Sequence, residues 1–84
     1  MTEAEAFRLY VRDLTALLLE MAEKVSQAAR GYPAGTERGA FEQGRAFAFN
    51  EVLSTIVNQA IAFDIPHEEL GFSSADVRRI EKQA

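Results

Sequence analysis

The sequence predicts an all-α fold, an antiparallel hairpin of two long helices followed by a short C-terminal helix. Three observations carry that expectation. Apolar residues recur in steps of three and four along most of the chain, and no stretch alternates at the period of a strand. Each proposed helix also opens on a capping residue, and the two long ones end at stop signals.

The first helix is read over about residues 3–30. Thr2 followed by Glu5 is a capping-box pattern, in which side chain and backbone satisfy each other reciprocally. Phe7, Val11, Leu14, Leu18, Met21, Val25 and Ala28 then mark an a/d heptad seam, widened by Tyr10 and Leu17. Arg8, Arg12, Glu20, Glu23 and Lys24 take the other side. Gly31 is expected in the left-handed conformation that ends helices, and Pro33 cannot continue one. Residues 31–35 make a connector short enough to join antiparallel neighbours.

Thr36 caps the second helix, read over about residues 37–64, and Glu37 complements its dipole. Gly39 and Gly44 weaken its start by about 1 kcal/mol each relative to Ala. Its apolar arc runs through Phe41, Ala46, Phe49, Val52, Leu53, Ile56, Val57, Ala60 and Phe63. Asp64-Ile65-Pro66 closes it, because the residue before proline disfavours helical geometry. A short turn at about 66–70 ends at Gly71. Ser73, with Asp76 three residues later, opens a third helix over about 74–83 that runs through Val77 and Ile80. The whole is expected to be one domain, residues 1–84.

Composition narrows the function classes. The chain has 84 residues, 13 acidic and 9 basic, a single His, no Cys and a net charge of −4. Without cysteine there is no disulfide framework and no thiolate metal site. An acidic balance argues against nucleic acid as a partner. No apolar run approaches the length of a membrane span, and no leader segment is evident, so a cytoplasmic location without membrane contact is expected.

Size supplies a further argument. A chain of 9.3 kDa should expose about 5,000 Å² when compactly folded. Burial then contributes on the order of 120 kcal/mol, and ordering the chain costs about as much. With no disulfide or metal to help, association is the remaining source of stability. The apolar arc of the second helix also covers more than half its circumference, too much for one neighbour and a short third helix. A homodimer forming a four-helix bundle is therefore expected.

The candidate interface residues are Phe47, Phe49, Val52, Leu53, Ile56 and Ala60, with Glu42, Arg45 and Asn50 as polar members. Glu42 and Arg45, three residues apart, lie within the apolar arc and can pair. Asn50 borders the arc and needs a partner if buried; in a dimer it could fix register. Phe47 faces away from the main arc, toward an interface or the C-terminal helix. Ala40, Gly44 and Ala48 form a small-residue stripe, best read as an ordinary one beneath the connector.

Chemistry is harder to find. His67-Glu68-Glu69 is the only metal-like cluster, and adjacent positions on a turn point apart; its carboxylates fit the first turn of a short helix better. No phosphate loop, nucleophile elbow or paired-carboxylate arrangement is present. No catalytic residue, metal or cofactor is expected. The leading reading is a non-enzymatic interaction module that binds and modulates or neutralises a protein partner. In size, shape and acidity the chain is similar to small bacterial immunity and inhibitor proteins as a class, without a shared motif. Two alternatives come from other classes. One is a nucleic-acid-associated regulator using Arg78, Arg79 and Lys82; the other is a ligand-holding bundle lined by Phe41, Phe49 and Phe63.

Overall fold

In the computed structural model, which describes residues 1–83, four elements follow one another. They are α1 (Glu3–Arg30), α2 (Glu37–Ala62), a 3₁₀ turn (His67–Leu70) and α3 (Ser74–Gln83). α1 and α2 form the expected antiparallel hairpin, and the short α3 packs against α2. No strand occurs among the described residues.

Local chemistry sets the boundaries. The Glu5 amide donates to Thr2 Oγ1 at 3.1 Å, and the Thr2 amide donates to Glu5 Oε1 at 3.3 Å, completing the capping box. The Gly39 amide donates to Thr36 Oγ1 at 3.1 Å at the start of α2. At α3 the same reciprocity joins Ser73 and Asp76, at 2.9 and 3.0 Å.

Two chain reversals differ from expectation. Gly31 is right-handed (φ −79°), and the left-handed residue of the connector is Gly35 (φ 84°). The α2 helix stops at Ala62, two residues early, because Asp64 takes a left-handed conformation (φ 56°) and the Ile65 amide donates back to the Ala60 carbonyl at 2.8 Å. Asp is one of the few residues that tolerates that geometry.

The core lies on one side of the hairpin. Leu53 and Val57 of α2 meet Phe72, Val77 and Ile80, and Leu18, Leu19, Ala22, Ile56 and Leu70 pack around them. Phe72 is 2% exposed and anchors the return of the chain. Gly71 makes that return possible: its φ is +95°, and a Cβ there would lie 3.5 Å from the Arg12 carbonyl oxygen.

The expected α1 seam divides in two. Val25 is buried, and Val11, Leu18 and Ala28 are half-buried, whereas Phe7, Leu14 and Met21 are exposed. A single seam had been expected because a strict heptad repeat predicts one line of contact. The line inside the protomer instead runs through Val11, Thr15, Leu18, Ala22 and Val25, leaving the other half of the repeat outward.

The molecule is thin and long, 49 × 24 × 17 Å, with a radius of gyration of 14.7 Å. A compact chain of this length would have a radius near 12 Å.

Candidate interaction surface

Each residue of an α-helix turns the side chain by about 100°, so the burial pattern fixes which way each face points. Leu19, Glu23 and Ser26 of α1 and Ala46 and Asn50 of α2 line a small cavity of about 30 Å³ beneath Arg79 and Ile80 of α3. Residues half a turn away on both long helices therefore face the other side. On α1 these are Phe7, Tyr10, Leu14, Leu17 and Met21; on α2 they are Phe41 and Val52, and Phe63 follows at the C-cap. All eight are exposed large apolar side chains. They form one apolar face, opposite α3.

The surface total agrees with this. The protomer exposes 6102 Å², about 1,100 Å² more than a compact monomer of its mass should. The eight side chains present on the order of 800 Å² together, beyond the roughly 300–600 Å² of the largest patch on a typical monomer. That is also about what one partner contributes to a standard protein–protein interface.

The candidate interface residues separate across the structure. Leu53 and Ala60 (each 3% exposed) fill the intrachain core, so they do not present an outward surface. Leu53 packs against Phe72, Val77 and Ile80, with Leu18, Leu19 and Ala22 of α1 around that cluster. Asn50 is buried as well, and its Nδ2 donates to the Ile80 carbonyl at 3.5 Å. Its polar group is thus spent within the protomer, tying the last turn of α3 to α2, rather than held for the register of a dimer. Val52 is exposed, with Phe49 and Ile56 half-buried beside it. Phe47 is exposed on the α3 side, in a depression with Ser26, Ala29 and Gln83. Ala40, Gly44 and Ala48 are exposed, and nothing lies within 4 Å of where a Gly44 Cβ would sit.

The Glu42–Arg45 pair forms, with Arg45 Nη1 3.1 Å from Glu42 Oε2. Glu42 is 2% exposed. Its second oxygen, Oε1, meets Arg38 Nε at 3.4 Å. Arg38 is a member of this cluster that sequence reasoning missed, although its position one helical turn before Glu42 is a readable signal. Both guanidinium groups also flank the Phe41 ring, at 6.0 Å and 5.9 Å from its centroid, and Arg38 stands 5.7 Å from the Tyr32 ring. A buried carboxylate thus holds two arginines against an exposed aromatic at the connector end of the apolar face.

At the other end, where α1 begins and α2 stops, Ala4, Ala6, Phe7 and Val11 with Ile65 and Leu70 line an open groove of about 870 Å³. Glu3, Arg8 and Glu69 rim it, and Arg8 Nε stands 3.6 Å from Glu69 Oε2.

The other candidate sites are dispersed. Phe41 and Phe63 point outward and do not line an interior pocket, and the cavity near α3 is far too small for an organic ligand. Arg79 of the basic patch is paired with Asp76 at 3.2 Å. In the His67-Glu68-Glu69 cluster, Glu69 is turned to Arg8 while His67 Nε2 is buried without a hydrogen-bond partner among the described residues. No group of three His, Asp or Glu among the described residues is arranged to hold a metal ion. No described helix is long and apolar enough to cross a membrane. No family model, curated protein or solved structure matches this chain.

Proposed function

We propose that this chain is a non-enzymatic helical interaction module that works as a homodimer, two hairpins packing face to face into a four-helix bundle. One observation carries the reading: the surface in excess of a compact monomer coincides with a single apolar face whose α1 residues follow a heptad repeat. Phe7, Tyr10, Leu14, Leu17 and Met21 are spaced three and four apart, the pattern that inserts into a facing helix. A second copy presents the same stripe, and an isologous contact uses one patch on both subunits. The area available is about what a stable pair requires. A modulating role toward another protein would be exerted by this dimer or by exchange of one of its halves.

Sedimentation equilibrium across the micromolar range tests this. A dimer mass that falls to the monomer mass in a Leu14→Asp, Leu17→Asp variant with retained helical circular dichroism is the expected result. A strict monomer at high micromolar concentration overturns the pairing and leaves the face to a different protein.

A further inference from the structure

Charge is distributed unevenly along the hairpin. The far end, residues 1–14 and 55–72, holds Glu3, Glu5, Asp13, Asp64, Glu68 and Glu69 against Arg8 and Arg12. Six carboxylates against two arginines leave −4, the entire net charge of the chain. The remainder is balanced, and at its connector end the arginines Arg38 and Arg45 stand on the apolar face. The last turn of α2 carries no basic residue of its own to complement the helix dipole.

Shape is uneven in the same sense. The connector end projects Phe41, 59% exposed and flanked by the two arginines. The far end offers the apolar groove of Phe7, Val11, Ile65 and Leu70, rimmed by Glu3 and by Glu69, the latter paired with Arg8 at 3.6 Å. Phe7 belongs to both groove and apolar face, so the two adjoin at the far end.

We infer that the two copies pair head to tail, the Arg38–Phe41–Arg45 projection of each seated in the groove at the far end of the other. This rests on the pairing proposed above and adds its orientation. A two-fold axis across the helices superposes α1 on α1 and α2 on α2 in opposite directions, bringing each connector over the other copy's far end. Phe41 then covers the groove, and the free donors of Arg38 and Arg45 meet Glu3, Asp64 and the α2 C-terminus. Lys24 falls near Asp13 of the other copy along the α1 edge. The alternative axis, along the helices, stacks the two far ends and sets −4 against −4. Like charges brought together at an interface are strongly disfavoured.

Because the chain has no cysteine, one substitution gives a single labelling site. A spin label at Ala34→Cys, in the exposed connector, reports the separation of the two connectors in the full-length dimer. Head-to-tail pairing predicts a distance of about 40 Å or more, and the parallel arrangement under about 25 Å, from a 26-residue helix at 1.5 Å per residue. A second measurement compares two phenylalanines of equal exposure, each 59%. Phe41→Ala is expected to weaken dimerisation by about tenfold or more, as truncation of an interface anchor does, while Phe47→Ala leaves it unchanged. A dimer with a short connector distance, or with Phe41→Ala as tight as the parent, overturns the orientation but leaves the pairing intact. A monomer overturns both.

Discussion

The two sides of the hairpin are built from the same kinds of residue and differ in what covers them. On the α3 side, Phe72, Val77 and Ile80 close over Leu53 and Val57, and Asn50 binds a carbonyl of α3. On the other side, Phe7, Tyr10, Leu14, Leu17 and Met21 repeat as regularly as any core seam and stay exposed. Hydrophobicity thus decides that a stripe needs cover, while chain connectivity decides which stripe receives it. With ten residues, α3 is long enough to cover one side only.

The largest expected effect lies on the closed side. Phe72→Ala removes a fully buried aromatic and is expected to cost about 3–5 kcal/mol, read by chemical denaturation at fixed protein concentration. Were Phe72 as dispensable as an exposed aromatic, the contrast between the two sides would collapse. Met21→Asp, on the open side, is expected to weaken dimerisation by about 2 kcal/mol or more, a change of roughly 30-fold in the dissociation constant. Its signature is a melting temperature that no longer rises with protein concentration. Equal destabilisation at every concentration would place Met21 in the intrachain core instead.

Smaller effects sharpen the comparison at the caps and glycines. Thr2→Ala is expected to cost about 1 kcal/mol by removing the capping box of α1. Gly39 and Gly44 separate cleanly. A Cβ at Gly39 would meet Thr36 Oγ1 at 2.9 Å and the Pro33 carbonyl oxygen at 3.0 Å, whereas one at Gly44 would meet nothing. Gly39→Ala should therefore destabilise, and Gly44→Ala should stabilise by about 0.5–1 kcal/mol through helix propensity. Thermal melts of the two variants moving in the same direction would contradict this packing of the connector against α2.

Much of the fold is legible without coordinates because its determinants are local. Thr2 with Glu5 and Ser73 with Asp76 act over three residues, and Thr36 directly precedes the acidic first turn at Glu37, so each helix start is announced locally. The Glu42–Arg45 pair is legible for the same reason. What escaped was non-local. The early end of α2 depends on Asp64 turning left-handed to send Ile65 back to Ala60. The burial of Leu53, Ala60 and Asn50 depends on elements distant in the chain, such as Ile80, 30 positions from Asn50. The inward and outward halves of the α1 repeat are equally apolar in the sequence, and only contact with Phe72 and its neighbours distinguishes them.

The sequence by itself determined the helices, their caps and the surplus of apolar residues, because hydrogen bonding within a turn and the 3.6-residue period operate between near neighbours. The tertiary structure alone decided which apolar face stays open, because that follows from where a ten-residue helix and one buried phenylalanine come to rest. It also decided that Arg38 and Arg45 and the acidic excess lie at opposite ends of the hairpin, because the antiparallel reversal sets the start of α1 beside the end of α2.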